Sequence, residues 1–512
     1  MGICARCCRQ VLPRLACLVA ALPATWSASP ACGEDFRAFT WGVSDTADTP
    51  NLSPMVWVAQ DSNINVVAEQ VKALPIGLRF LLMFGFVNDL ADNPADRCIP
   101  GTIGVTGTSA PVGGIGSVHR MAPQLGTLEP TDSAVPFSLT KQRGPWMDNG
   151  IAAVQARMQG LIAELARRGA DADGFVFDNE TTLHATNFLA VPGAFGTIQA
   201  DPRWPALSKQ LAFPFDISSL QVMYWGSPLY YQWTEVMAGR FDDAMNTAVY
   251  LPIRSIYPLA SVSNFNSGMV TAGNESPDIT GKMDRYATSG FGTHDSGEYY
   301  GGLTPMRIAA TTGLALPFAG DAWIALRLEV HKVRGLFASN GTRPKYAWIA
   351  PRSYVGLASS AVKSGFAGTP YWDELILQLG MSGIDTFLDW NPDGGEAQRP
   401  PGFNHRDDRM ALDALLCELD AVVGPSDTRS LLLPQPSWTD RVLASARFIA
   451  PDVLWRFSFD AGIGSVDVRF TDGTTATVFR EPGRAGGWLR HPVWKKLVME
   501  RGGALPVMTL HP

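Results

Sequence analysis

Asp178 and Glu180 are the two side chains of this sequence whose types and spacing most directly offer chemistry. They close the stretch Asp173-Gly174-Phe175-Val176-Phe177-Asp178-Asn179-Glu180. In a strand, period-two geometry puts Val176, Asp178 and Glu180 on one face, with the carboxylates about 6–7 Å apart. A carboxylic acid that protonates a leaving oxygen, beside an anion that stabilises positive charge or positions the attacking group, is machinery for cleaving a glycosidic bond. Two neighbouring carboxylates also resist joint ionisation, which keeps one protonated near neutral pH. The bland alternative is a pair of polar residues ending a strand at a surface loop.

The elements that must position this pair are legible on either side of it. Ile151, Val154, Met158, Ile162 and Leu165 recur at helical spacing, and Gly169 ends that helix. The apolar run 174–177 is then a buried strand with its acids at the carboxyl end. The helix-then-strand unit recurs: 64–74 leads to 78–86, 235–250 to 259–266, 321–338 to 345–352, and 372–379 to 383–390. Residues 36–43 alternate as a first strand. Five copies without a short fixed period exclude a solenoid. A TIM-type (β/α)8 barrel fits best, with functional residues collected at strand carboxyl ends. A doubly wound open sheet is the alternative, but no G-x-G-x-x-G loop follows the first strand.

The other strand ends offer Asn264 and Asn266 as partners for sugar hydroxyls, Arg352 and Tyr354 as rim residues, and Trp390 after Asp389 at the end of the last strand. The polar cluster 294–300 reads as a further rim loop. Residues 87–147 are rich in Gly, Pro, Ser and Thr without periodicity, and read as a long insertion bordering the substrate cleft. No metal site and no cofactor are expected: a metal at 294–300 would need more histidines nearby, only seven exist in the chain, and Cys32, Cys98 and Cys417 have no metal-ligand spacing. A serine-hydrolase elbow, G-x-S-x-G, is absent.

The chain's 512 residues exceed one compact unit. The expected division is a signal peptide at 1–31, the barrel at 32–425 and a linker with a small all-β domain at 426–512. Arg6, Arg9 and Arg14 precede the apolar run Leu15 to Leu22, with small residues around Ala28 and Ala31 offering cleavage, so the chain is expected to be secreted or periplasmic. The run is too short to span a bilayer, and no transmembrane segment is expected once the signal is removed. Of seven cysteines, Cys32, Cys98 and Cys417 would remain; a Cys32–Cys98 disulfide and unpaired buried thiols are the two alternatives. A net charge of −7 argues against nucleic acid as a partner, and a carbohydrate substrate fits better. Beyond Ser426, residues 442–479 alternate as strands, with Asp472-Gly473 marking a hairpin. This domain either binds carbohydrate through Trp455 or Trp488, or packs against the barrel.

The stretch 173–180 resembles the D-G-x-D-x-D-x-E strand of family-18 chitinases, with Val176 where the first acid of the D-x-D-x-E core belongs. Hyaluronidases carry an apolar residue there and keep only the final D-x-E. The resemblance implies that Glu180 protonates the glycosidic oxygen and that Asp178 orients the substrate's own 2-acetamido group, whose oxygen attacks the anomeric carbon. It implies that Tyr224, in the context Met223-Tyr224, meets the acetamido group, and that Trp390 forms the floor beneath the sugar. Asn179-Glu180 also resembles the N-E pair on the fourth strand of retaining clan A glycosidases. That clan needs a second glutamate ending the seventh strand; the stretch 345–352 has none, which leaves Glu298 as the substitute. The reading from another class is a noncatalytic secreted sugar-binding protein on the same barrel.

Overall fold

Short apolar runs at the carboxyl side of each helical segment form the strands that the alternation predicts. A computed structural model of the protein describes residues 35–41, 49–58, 69–74, 79–84, 155, 158–170, 172–177, 246–264, 292–303, 321–340, 343–354, 363–364, 366, 368–390, 404–424, 428–431, 433, 440–449, 452–469, 475–491 and 509–511. Eight strands make the first sheet: β1 (Arg37–Trp41), β2 (Leu52–Val58), β3 (Leu81–Phe84), β4 (Gly174–Phe177), β5 (Ser261–Asn264), β6 (Asp295–Tyr299), β7 (Lys345–Ile349) and β8 (Thr386–Asp389). Their order is β5-β4-β3-β2-β1-β8-β7-β6, and every neighbouring pair is parallel. The two edges meet, because the Thr293 and His294 amides donate to the Val262 carbonyl at 2.8 and 3.2 Å. Around the ring the strands therefore run in chain order, which is the (β/α)8 barrel.

Alternation divides each strand between two cores. Phe39, Met55, Leu81, Val176, Tyr346, Trp348 and Leu388 fill the inside of the ring. Ala38, Leu52, Tyr299, Ala347, Ile349 and Phe387 face the surrounding helices. Besides the helical turn 69–72, the described helices are α1 (158–167), α2 (Leu251–Ile256), α3 (Ala322–Asn340), α4 (Tyr371–Met381) and α5 (His405–Val423). A π-helical turn, Asn246–Tyr250, runs into α2, so this helix continues six residues past its expected end. On α5, the Asn404 side chain caps the Asp407 amide at 2.9 Å, and Asp413 and Asp420 accept from the Asn51 and Phe36 amides. The last helix is thereby tied to the entry of the first two strands.

Two strands differ from the sequence reading. β2 carries Pro54, and the sequence 42–51 before it has no apolar stripe at helical spacing, so the helix-then-strand pattern passes over it. The polar segment 294–300 is β6, a barrel strand and not a rim loop. Its acid, Asp295, is wholly buried because Lys345 Nζ and Arg343 Nε lie 3.7 and 3.3 Å from its oxygens. Composition misreads a strand whose buried acid is matched by cations on and just before the neighbouring strand.

The C-terminal part is an antiparallel sandwich. One sheet has β9 (Thr428–Leu431), β10 (Val442–Ile449), β11 (Asp452–Phe459) and β14 (Gly486–His491); the other has β12 (Ser465–Arg469), β13 (Thr475–Phe479) and β15 (Thr509–His511). β12 and β13 pair antiparallel, as the hairpin around Asp472-Gly473 requires, although that turn lies outside the described residues. Ala446, Val453, Trp455, Phe457, Val466 and Val468 form the sandwich core. The opposite face of the larger sheet is buried too: Leu443, Ile449 and Leu454 join the helix layer of the barrel. This is why α4 is buried all round, including Glu374 and Gln378. Gln378 Nε2 donates to the Arg456 carbonyl and Ser458 Oγ at 3.2 and 2.9 Å, and the Tyr371 hydroxyl donates to the Phe459 carbonyl at 3.1 Å. Gly486 sits where a β-carbon would collide with the Glu374 carboxylate and the Phe457 carbonyl, so the close approach of sheet and helix needs glycine there.

Candidate active site

The strand that leads to Asp178 and Glu180 lies between β3 and β5, fourth in the ring. Its residues Gly174 and Val176 face inward. A β-carbon at Gly174 would collide with Ser261 Oγ and crowd Leu81 Cδ2, so the glycine of the Asp173-Gly174 pair is required by packing at the barrel's floor. Ser261 Oγ donates to the Asp173 carbonyl at 3.2 Å and itself accepts from the Tyr346 hydroxyl. His294 stacks on Tyr346 with ring centroids 4.6 Å apart. Burial, then the Arg343 and Arg37 charges, push the His294 pKa down to about 4, so this histidine is neutral at ordinary pH. Burial raises Tyr346 to about 12. The stacked His294 and Tyr346 rings at this floor are thus both uncharged. Above it Val176, Trp348 and Leu388 fill the centre without solvent exposure.

The carboxyl end carries an aromatic shelf. Trp390, one residue past β8, donates its amide to the Ile349 carbonyl at 2.8 Å and packs on the inner core. Tyr300, just past β6, lies 5.4 Å from the Trp390 ring, tilted 34°. Tyr354, in the loop after β7, meets the same ring edge-on at 5.6 Å. This loop is pinned along its length. Ala350 accepts from Trp372 Nε1 at 2.9 Å, and Asp408 accepts from both the Ser353 amide and its hydroxyl at 3.1 and 2.6 Å. Arg352 Nε lies 3.2 Å from Asp373 Oδ1. Burial raises the Asp373 pKa against the opposing pull of Arg352 and Arg484.

Of the residues expected from the sequence, Trp390 and Arg352 are both at the carboxyl end, though they face different ways. Trp390 lies over the barrel's inside, while the Arg352 guanidinium is engaged by Asp373 at the start of α4. Asn264 ends β5, its Cα in register with Phe177, one residue before Asp178. Asp178, Glu180, Tyr224, Asn266 and the insertion 87–147 lie outside the described residues, as does the Asn264 side chain. Glu298 falls on β6 in register with Trp348, not on the seventh strand. β7 itself, Lys-Tyr-Ala-Trp-Ile, contains no glutamate. Tyr300 was missed in the sequence; the alternation Ser296, Glu298, Tyr300 carries the signal, hidden by its polarity. Trp455 is fully buried in the sandwich, and Trp488 donates to Glu418 Oε1 at 3.0 Å with the Arg456 guanidinium 4.8 Å from its ring. Both tryptophans make packing contacts, in keeping with the second of the two alternatives, a domain that packs against the barrel.

Among the described residues no group of three histidine, cysteine or acidic side chains is arranged to hold a metal ion, and no helix is long and apolar enough to cross a membrane.

No family profile matches this sequence, and no curated protein does. Solved structures resemble it at low identity. A GH42 β-galactosidase from G. stearothermophilus is 10% identical with a TM-score of 0.41, over 77% of this chain and 58% of that one. A β-galactosidase from Rahnella sp. R3 is 12% identical with a TM-score of 0.37, over 75% of this chain and 51% of that one. A glycoside hydrolase family 5 protein from Bacteroides vulgatus is 11% identical with a TM-score of 0.32, over 92% of each chain. The chain thus spans little more than half the length of either β-galactosidase. At TM-scores this low the likenesses transfer neither a residue nor an activity to this chain.

Proposed function

We propose that this chain is an exported glycoside hydrolase acting on a carbohydrate that contains N-acetylhexosamine, with Glu180 as the acid and Asp178 assisting it. The observation that carries this reading is Val176: it faces the inside of an eight-stranded parallel barrel, on the fourth strand, two residues before Asp178. Strand parity carried onward gives Asp178 and Glu180 the same side, at the end of the barrel where such folds collect their chemistry. The aromatic shelf of Trp390, Tyr300 and Tyr354 at that end suits the apolar face of a sugar ring. In this mechanism Glu180 protonates the glycosidic oxygen as the substrate's acetamido oxygen attacks the anomeric carbon. Asp178 orients that amide. Water then opens the oxazolinium-type ring, the Glu180 carboxylate takes its proton, and the configuration is retained.

A two-carboxylate retaining mechanism is less well supported, since β7 has no glutamate and Glu298 stands on β6. Asn264 and Asn266 are assigned to sugar hydroxyls and Tyr224 to the acetamido group. Export is supported by the basic and apolar N-terminal residues and by the disulfide bond of Cys417, a modification of oxidising compartments.

The test is hydrolysis of aryl glycosides and polysaccharides with and without the 2-acetamido group, by wild type and Glu180→Gln. Activity confined to acetamido substrates and lost in the variant supports the mechanism. Activity on plain hexosides replaces it with the two-carboxylate route. Folded protein that binds glycan and cleaves none is a sugar-binding protein instead.

A further inference from the structure

We propose that Arg484, in the turn between β13 and β14 of the C-terminal sandwich, is a positioning residue for the barrel's carboxyl face: through Asp373 it fixes the loop that carries Arg352 and Tyr354. The functional half of this inference rests on the hydrolase reading above; the structural half does not.

Asp373 is one carboxylate with two guanidinium partners. Asp373 Oδ1 lies 3.2 Å from Arg352 Nε, while Asp373 Oδ2 accepts from Arg484 Nη1 at 3.1 Å. The other arm of Arg484, Nη2, donates to Glu418 Oε2 at 2.7 Å, and the second oxygen of Glu418 is held by Trp488 Nε1 at 3.0 Å. A continuous chain therefore runs from Trp488 of the sandwich, through Glu418 of α5, Arg484 and Asp373, to Arg352. The Arg352 side chain is 43% exposed, and an ion pair of that kind holds little by itself. Asp373 is different: only 11% of its side chain is exposed, and its Oδ2 is held by one arm of a guanidinium whose other arm is fixed on Glu418, so the carboxylate is anchored from the sandwich side.

Arg484 is itself held in place. Its amide donates to the Glu481 carbonyl at 3.1 Å, its carbonyl accepts from Arg480 Nε at 2.8 Å, and the Glu481 carboxylate is bound to Arg456. The sandwich thus presents Arg484 to the barrel as a fixed cation. Two residues beyond Arg352, Tyr354 meets the edge of Trp390, so an orientation set at Asp373 reaches the aromatic shelf.

The experiment uses the full chain and compares Arg484→Gln, Asp373→Asn and the double variant by amide hydrogen exchange, then by steady-state kinetics on whichever glycoside the wild type cleaves. We expect exchange at the Ser353 and Tyr354 amides to accelerate about tenfold in each single variant, with little further change in the double. Amides of β14 are expected to stay at the wild-type rate. KM is expected to rise several-fold while kcat stays within about twofold, a split that general destabilisation does not produce. Glu418→Gln, which loosens Arg484 from its far side, gives the same pattern at smaller amplitude and serves if Arg484→Gln does not fold. Unchanged exchange over 350–354, or equal loosening of β14 and this loop, overturns the proposal. A wild type that cleaves nothing removes the hydrolase reading and leaves the exchange result to decide the positioning.

Discussion

Arg456 and Glu374 form a two-armed ion pair with neither side chain exposed: Nε donates to Oε2 at 2.9 Å and Nη2 lies 2.5 Å from Oε1. One residue belongs to the sandwich and the other to a barrel helix. Ser458 Oγ donates to the same carboxylate at 2.8 Å, and Arg456 Nη1 reaches Glu481 at 3.0 Å, so nearly every polar atom of the pair is satisfied across the boundary. The two parts of the chain are one folding unit at this seam.

Arg456→Met is therefore expected to destabilise the whole chain by about 3–5 kcal/mol, because it leaves Glu374 charged and buried without its cation. Replacing both residues with apolar ones of similar volume is expected to recover much of that loss. Urea unfolding followed at a barrel tryptophan and at a sandwich tryptophan checks this, and two separated transitions in the wild type would refute the single unit.

Gly174→Ala is expected to cost about 1–3 kcal/mol or more, since its methyl meets Ser261 Oγ and Leu81 at the barrel floor. Thermal unfolding of this variant beside Gly160→Ala, where nothing lies within 4 Å, separates packing from a general glycine effect.

Burial raises the Asp420 pKa from 3.8 to about 6, against the Phe36 amide that donates to it at 2.9 Å. The folded chain then holds a proton that the unfolded chain releases between those two values. Asp420 thus lowers stability progressively as pH rises from about 4 to about 6, and its full cost is present above that. Asp420→Asn keeps an acceptor for the amide and cannot ionise. The melting temperature of the variant minus that of wild type is expected to grow across this window, and a flat difference would sink the assignment.

Trp390→Ala is expected to weaken binding of an inert glycan about tenfold, or about 1.4 kcal/mol, with the fold retained. Titration calorimetry checks it. Unaltered affinity would mean that Trp390 only plugs the barrel beneath its two tyrosines.

The helix-then-strand order was readable because it is local: an apolar stripe every three to four residues, then a run such as 174–177 or 386–389, states its own geometry. The two antiparallel strands 442–449 and 452–459 announced themselves in the same way. β6 and β2 did not. Asp295 and Ser296 look solvent-exposed until Lys345, fifty residues on, is seen beside Asp295, and the sequence before Leu52–Val58 lacks the apolar stripe that marked the other strands.

The sequence by itself determined the alternation and the position of Trp390 after the last strand. Tertiary structure alone decided that the eight strands close into a ring, that Tyr300 and Tyr354 flank Trp390, and that Arg352 answers through Asp373 to Arg484, 111 residues beyond that aspartate. Periodicity reports which face a residue occupies. It carries no information on which distant residue will share that face, because that is fixed only when hydrophobic burial brings separate elements together and the buried charges must then find partners.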